Sequence, residues 1–451
     1  MIKKQFYYSF RFFSSTQRRV RRRLTPPGLL VFNGLVISVG LGLDTTQTMI
    51  FQVFTFLLSL FTISLVYSLF FRSPFVVRRI IPRFATKGQP IKYRLIIKNG
   101  TDKIQRGLHL IEDLTDPRPS FEEFTRSSEP GEETRNLFDR YVGFFRWQWL
   151  ISQKKVGAVK EKPLPTFQPK SEIEIRHEIL PLRRGMMMFS GVTIARPDPF
   201  GLFKSLVTLP VKQSIRVLPK RYSLPPIQLS GIRKYQRGGV ALASSIGDSE
   251  EFVSLRDYRP GDPLQRIHWK SWARIGKPIV KEYQEEFFVR HTLILDTFLK
   301  KDYSEAFEEA VSLAASYVCT INTMESLLDL MFVGRESYCI TSGRGLANMD
   351  KMLEILSSVK LCADKPFESL YHSVINHAHS LSGCICILLA WDQERRDLIS
   401  HLGAMGIPLL VLVIKESKLG DELDDPGPMK NKPEFFHILE VGKIEEGLAK
   451  L

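Results

Sequence analysis

The stretch Gly247–Glu286, GDSEEFVSLRDYRPGDPLQRIHWKSWARIGKPIVKEYQEE, divides a chain of 451 residues into two differently patterned halves. It crowds Arg256, Asp257, Arg259, Asp262, Arg266, His268, Lys270, Arg274, Lys277, Lys281 and Glu282 among Tyr258, Trp269 and Trp272. A solvated charge run has no use for the rings, and a core strand would not tolerate the charges. The mixture reads as a partly buried polar junction whose side chains pair across two elements. Arg259-Pro260-Gly261-Asp262 is a turn, because Pro260 presets φ and Gly261 supplies a positive φ. Asp262 before Pro263 predicts a helix N-cap with proline at the first helical position. Gly276-Lys277-Pro278 predicts that helix's end, and Ile279 to Tyr283 alternates as a strand.

Downstream, over 287–451, apolar runs alternate with helical periodicity. Phe288–Leu295, Leu327–Val333, Cys384–Ala390, Ile407–Ile414 and Phe435–Leu439 read as strands. Tyr303–Ile321, Leu346–Val359, Phe367–Leu381, Gln393–Met405 and Lys443–Leu451 read as helices. Strands apolar on both faces between helices imply a largely parallel, doubly wound α/β sheet. Upstream, over 75–220, short period-two runs with Gly, Pro and Asn punctuation imply a β-sandwich of immunoglobulin-like type. Its strands include Ile91–Lys98, Leu108–Leu114, Ile173–Leu180, Met186–Ala195, Ser205–Val211 and Ile215–Leu218. The aromatic segment 144–151, Phe-Phe-Arg-Trp-Gln-Trp-Leu-Ile, reads either as a hairpin completing the sandwich or as a contact with a bilayer interface. Residues 221–246 read as a basic, solvated linker. Tyr222 and Tyr235 are too few to make it a nucleic-acid platform.

Lys and Arg exceed Asp and Glu by 63 to 48, a net charge of +15. No acid occurs from Met1 to Leu43, where eight Lys and Arg residues precede the first apolar run. That asymmetry points to a membrane before it points to nucleic acid. Residues 1–27 form a basic N-terminus, and 28–71 hold two apolar runs, Gly28–Leu43 and Met49–Phe71, read as a transmembrane helix hairpin. Basic residues flank both outer ends (Arg18 to Arg23, then Arg72, Arg78, Arg79 and Arg83), which places both termini and the soluble domains in the cytoplasm. A cleaved signal peptide is the rival reading, with the body outside. The five cysteines, Cys319, Cys339, Cys362, Cys384 and Cys386, suit reduced thiols in a cytosolic domain.

The run Glu251-Phe252, Leu255-Arg256, Tyr258, Pro260-Gly261-Asp262, Arg266-Ile267-His268-Trp269-Lys270, Ala273-Arg274 and Val280-Lys281 resembles the signature of the domain of unknown function 58 family. Arg184-Gly185 and Asp198-Pro199-Phe200-Gly201-Leu202 resemble the strand and turn that precede it there. The resemblance implies a bacterial inner-membrane protein that accompanies a MoxR-type AAA+ ATPase. It also implies that residues 287–451 are similar to a von Willebrand factor A-type domain. In such domains Asp296 would open a metal loop of Asp-x-Ser-x-Ser form and Asp392 would support it. Here the loop reads Asp296-Thr297-Phe298-Leu299-Lys300, without either serine and with a lysine facing the cation. Asp296, Thr297 and Asp392 thus read as a degenerate remnant, with Mg²⁺ disfavoured. In the alternative, Asp296 caps a strand end or pairs with a basic residue of 247–286.

His268 with Asp262 could form an acid/base pair for a hydrolase, or both could be structural. No nucleophile elbow, zinc-protease motif or phosphate loop occurs, and Ser342-Gly343-Arg344-Gly345 reads as a turn. The expectation is a non-enzymatic, membrane-anchored adaptor without cofactor. It would work with the ATPase on an unknown client protein through Arg256, Tyr258, Gly261, Asp262, Arg266, His268, Trp269, Lys270 and Arg274. A metal-dependent adhesion module facing outward is the other reading.

Overall fold

Alternation builds the first half of the molecule. The computed structural model describes residues 2–41, 48–71, 73–225, 236–237, 250–285, 287–301, 303–321, 326–342, 346–416 and 425–450. The chain divides into two compact units, Met1–Leu218 and Pro219–Leu451. The strands of the first, in order, are β1 (Phe75–Ile80), β2 (Phe84–Thr86), β3 (Ile91–Asn99), β4 (His109–Leu114) and β5 (Gly157–Val159). β6 (Lys162–Pro163), β7 (Glu172–Pro181), β8 (Gly185–Pro197), β9 (Lys204–Leu209) and β10 (Gln213–Leu218) follow. One sheet runs β1-β3-β7-β5 and the other β2-β10-β8-β4-β6, with β9 added on β8. In β3, Ile91, Tyr93, Leu95 and Ile97 are buried while Lys92, Arg94 and Lys98 are exposed. Their counterparts from the second sheet, Met187, Phe189, Val192, Ile194, Ile215 and Val217, share the same core. Each such side chain contributes about 1.5–3 kcal/mol when fully buried. The expected sandwich is therefore present.

Its core holds an ion pair that the alternation of β1 turns inward. Arg79 Nη2 donates to Glu112 Oε2 at 2.7 Å, and both side chains are wholly buried. Tyr93 donates to Glu112 Oε1 at 2.8 Å, and Arg79 Nη1 donates to the Val211 carbonyl at 2.9 Å. Arg79, counted above among the basic flank of a membrane span, is thus a core residue.

The aromatic segment 144–151 is a helix, not the hairpin expected. It lies in α6 (Phe144–Lys154), after α4 (Phe121–Arg126) and α5 (Leu137–Val142). Trp147 and Leu150, three apart, are buried with Phe124 and Tyr7, the spacing of one helix face. Tyr7 belongs to α1 (Ile2–Arg23), which leads into α2 (Pro26–Leu41) and α3 (Thr48–Ser68).

Among the described residues, Met49–Ser68 is the one stretch long and apolar enough to cross a membrane. The expected pair of spans is not upheld. α2 has 16 residues, about 24 Å at 1.5 Å per residue, against a hydrocarbon core of ~30 Å. Its entry is committed to the sandwich instead. Thr25 N–H donates to the Leu202 carbonyl at 3.0 Å, and Thr25 Oγ1 donates to the Gly201 and Leu202 carbonyls at 2.5 and 3.0 Å. A Cβ on Gly28 would stand 2.2 Å from the Leu202 oxygen, so no other residue permits this approach. The receiving turn, Asp198-Pro199-Phe200-Gly201-Leu202, is held by Asp198 Oδ1, which accepts from the Leu202 and Phe203 N–H groups at 2.7 and 3.1 Å.

The second unit begins with β11 (Gln236–Arg237), β12 (Glu250–Asp257), α7 (Trp269–Ile275) and β13 (Ile279–Glu285). Then come β14 (Phe287–Leu295), α8 (Glu305–Thr320), β15 (Ser326–Val333), β16 (Ser337–Ser342), α9 (Leu346–Ser358) and α10 (Glu368–His377). β17 (Gly383–Leu388), α11 (Gln393–Ala404), β18 (Leu409–Lys415), β19 (Phe436–Glu440) and α12 (Ile444–Leu448) complete it. The sheet order is β16-β15-β14-β17-β18-β19. β14 to β15, β14 to β17, β17 to β18 and β18 to β19 are parallel, and the edge strand β16 is antiparallel. This is the expected doubly wound sheet. Cys384 and Cys386 lie in its buried core, and the mutual hydrogen bond and burial push the Cys384 thiol well above its usual pKa. Part of the anticipated linker is not solvated, because Tyr222 is buried and its N–H donates to Ser316 Oγ of α8 at 2.7 Å. The turn proposed at Gly343–Gly345 and most of the linker lie outside the described residues.

Candidate functional site

The signature stretch forms an arm of its own. β12 and β13 pair antiparallel as a two-stranded sheet, from Glu250 opposite Glu285 to Asp257 opposite Ile279. Between them come the predicted turn, a single 3₁₀ turn at Leu264–Arg266, and α7. Gly261 takes φ +107°, and Gly276 closes α7 at φ +75°, both in the left-handed region that glycine enters freely.

Asp262 does not cap a helix. Its carboxylate turns back, accepting from Arg256 Nη1 and Nη2 at 2.7 Å each and from the Arg259 N–H at 2.8 Å. These bonds hold its pKa down at about 2, Arg256 contributing most. The bidentate fork ties the end of β12 to the turn. His268 Nδ1 instead meets Ser271 Oγ at 2.6 Å, and the His268 N–H donates to the Ile279 carbonyl at 2.8 Å. Asp262 and His268 therefore serve different partners, and the acid/base pair considered above is not assembled.

The arm is also less buried than its charge pattern suggests. Ile267, Ile279 and Val280 form its small buried side. Leu264, Trp269 and Ile275 stand 67%, 63% and 60% exposed, and Arg259, Lys270, Arg274 and Lys277 are exposed as well. Trp269, Trp272 and Ile275, three residues apart, share one side of α7, while Lys270 and Arg274 are neighbours one turn apart. The Trp269 and Trp272 rings stack at 5.2 Å. Tyr258 and Arg266 are half-buried at the base of the turn. The arrangement is a surface with large apolar side chains set among cations, not the buried junction anticipated.

The second cluster lies at the carboxyl ends of β14 and β17. Asp296 is wholly buried, and its oxygens are taken: Oδ1 accepts from the Phe298 N–H at 2.9 Å, and Oδ2 from the Leu389 N–H at 3.0 Å and Arg395 Nε at 2.7 Å. Arg395, from α11, also reaches Asp392 Oδ2 at 2.5 Å and lies over the Phe367 ring at 4.6 Å. Burial acts to lower the Arg395 pKa, but the two aspartates outweigh it and raise the value. Thr297 donates to the Val333 carbonyl at 2.6 Å. The strand-end role of Asp296 stands, but its cationic partner comes from α11 and not from 247–286. These residues do not fit a metal ion, since a guanidinium lies between the two carboxylates and Thr297 faces a main-chain oxygen. The signal for Arg395 was present in Asp392-Gln393-Glu394-Arg395, an N-cap followed three residues later by a long cation.

Residues 254–371 match the family model described as protein of unknown function DUF58. The chain is 26% identical over 214 residues to the uncharacterized protein YeaD of Bacillus subtilis (strain 168), covering 47% of this chain and 51% of that one. It thus spans about half the length of this curated relative. Two solved structures that it resembles overlap it only loosely. The CARDB domain of the PF1109 protein from Pyrococcus furiosus, in complex with di-metal ions, gives a TM-score of 0.18 at 10% identity, over 32% of this chain and 93% of that one. A β-glucosidase from Listeria innocua in complex with isofagomine gives 0.14 at 10% identity, over 32% and 16%. Scores this low carry no argument. The sequence match to the family model covers the arm from Ser254 and the strands β14 to β16, and it ends in α10 at Tyr371.

Proposed function

We propose that this protein is a membrane-anchored, non-enzymatic adaptor that docks a partner protein on the exposed face of the arm. One observation carries the reading: Trp269, Leu264 and Ile275 stand in solvent among Arg259, Lys270, Arg274 and Lys277. Aromatic and arginine side chains dominate binding hot spots, and exposed apolar groups set among charges mark contact surfaces. The complementary partner presents an apolar pocket rimmed by acids. The family resemblance names a MoxR-type AAA+ ATPase as that partner, and the client stays unnamed. The parallel sheet is read as a degenerate von Willebrand factor A-like domain in which Arg395 stands where a cation would. α3 is the anchor. The family resemblance, not the flanking charges, suggests a bacterial inner membrane with the body in the cytoplasm, since Arg18 to Arg23 and Arg83 lie on opposite sides of a single span in the chain.

The test is crosslinking and affinity purification of the intact protein from its own membranes, as wild type and as Trp269→Ala/Arg274→Ala. Both side chains are exposed, so the fold should survive. Recovery of an AAA+ ATPase with the wild type and its loss with the variant supports the reading. Recovery with both removes the arm as the docking face, and recovery with neither removes the adaptor.

A further inference from the structure

A cavity of about 860 Å³ opens where α1, α2 and α3 meet the sandwich, and its lining changes character from one end to the other. That volume is within the ~300–1,000 Å³ typical of ligand sites. One end is cationic: Arg18, Arg19, Arg22 and Arg23 come from α1, and Arg118 from the segment after β4. Three of these guanidiniums are answered. Arg22 meets Asp113 at 2.6 Å, Arg18 meets Asp116 at 3.6 Å, and Arg118 also pairs with Asp116. Arg19 and Arg23 have no acidic partner among the described residues. Five guanidiniums against two carboxylates leave an excess of three positive charges in a half-enclosed space. The crowding registers on Arg18, whose pKa is lowered by burial first and by the Arg22 charge second, with the two aspartates acting against both.

The other end is apolar and runs along the helices. Leu29 and Phe32 of α2, Phe61 of α3 and Phe203 from the turn before β9 line it. The Phe32 and Phe61 rings lie 5.9 Å apart, and those of Phe61 and Phe203 lie 4.9 Å apart. Phe61 precedes the end of α3 by seven residues, which is about 10 Å along the helix axis. The cationic end therefore sits near the level where the candidate span leaves the bilayer, and the apolar end follows that span inward.

We infer that this cavity is a binding site for an anionic phospholipid, its phosphate seated on Arg19 and Arg23 and an acyl chain lying along Phe32 and Phe61. Basic pockets between helices at the cytoplasmic face take anionic headgroups. The aromatic wall continuing from the arginines gives the acyl chain an apolar surface that a free phosphate would not use. The inference rests on the reading of α3 as a membrane span, and the experiment separates the two.

Full-length protein is purified in detergent with equimolar phosphatidylglycerol and phosphatidylcholine, and the retained lipid is read by native mass spectrometry. Wild type is expected to retain phosphatidylglycerol preferentially. Arg19→Gln/Arg23→Gln, which touches two exposed side chains and should melt like wild type, is expected to bind it about 30-fold more weakly, taking the typical contribution of two cations at an anionic surface. Equal retention of the two lipids, or undiminished retention by the variant, would overturn the site. So would displacement of phosphatidylglycerol by glycerol 3-phosphate at equal concentration, since the acyl contact would then contribute nothing. Carbonate extraction of the same membranes reads the anchor separately. Release of wild type would overturn α3 as a span and this occupant with it. Retention in the membrane without a lipid preference would overturn the site alone.

Discussion

Replacing Arg395 by methionine tests the strand-end cluster most directly. The variant keeps a long, flexible, apolar side chain in a pocket that already holds the Phe367 ring, and it removes the charge facing Asp296. Asp296 keeps its two main-chain donors, at 2.9 and 3.0 Å, but becomes a buried carboxylate without a counter-ion. Breaking a buried pair from one side costs about 3–5 kcal/mol. The Asp392 limb adds little, because that carboxylate is 48% exposed and such pairs contribute ~1 kcal/mol or less. For a domain of this size each kcal/mol moves Tm by about 2–4 °C, so the expected loss is about 6–20 °C. The assay is thermal unfolding of the full-length protein in detergent, followed by tryptophan fluorescence. Asp392→Asn, which keeps a good N-cap, should lose under ~1 kcal/mol. Asp296→Asn/Arg395→Met should recover most of the single-variant loss, since neither partner is then charged. A single variant that melts with wild type would refute the reasoning, as would a rise of several degrees in wild-type Tm on adding Mg²⁺.

Two further outcomes follow from the first unit. Gly28→Ala places a methyl group against the Leu202 carbonyl oxygen, 2.2 Å from an ideal Cβ. The backbone must move, and overpacking of this kind costs about 1–3 kcal/mol. Limited proteolysis should then cleave the Asp198–Phe203 turn sooner than in wild type. His177 is buried edge-on to Tyr93, with Nε2 lacking a hydrogen-bond partner. Burial first, then Lys162 and Arg79, lower its pKa to about 4 from 6.5. The unfolded chain therefore binds the proton first, so the contribution is complete above pH 6.5 and is lost as pH falls towards 4. Its size is about 3 kcal/mol, read as a fall in denaturation midpoint that His177→Phe should lack.

Much of the architecture was legible because its periods are simple. The six sandwich strands and five parallel strands named from the sequence were bounded to within a residue or two by alternation and by apolar runs, whereas the short or edge strands β1, β2, β5, β6 and β16 were not picked out. Two failures share a cause, which is that a charged or aromatic side chain carries no label for its partner. Arg79 looks like a flank charge until the β1 alternation is extended to it and Glu112 is found opposite. The segment 144–151 looks like a β run by composition, although Phe144, Trp147 and Leu150 keep helical spacing. Ser120-Phe121-Glu122-Glu123 nearby spells a capping box that the structure forms. In the arm, the turn glycine and the helix stop were readable from local chemistry. The direction taken by Asp262 was not, because a carboxylate before proline can serve the helix ahead or the arginine behind. Arg256 offers two charge-assisted bonds where the helix offers one.

If α3 is the anchor proposed above, the grip of the Asp198–Phe203 turn on Thr25, Gly28 and Phe61 removes the swivel that a tethered domain ordinarily has. α3 has 21 residues and spans about 31 Å, close to the thickness of a bilayer core of ~30 Å. In a thicker or thinner membrane such a helix responds by changing its tilt. With the turn locked to α2 and α3, the sandwich leans by the same angle. Under that proposal, membrane thickness is converted into an orientation of the domain above it.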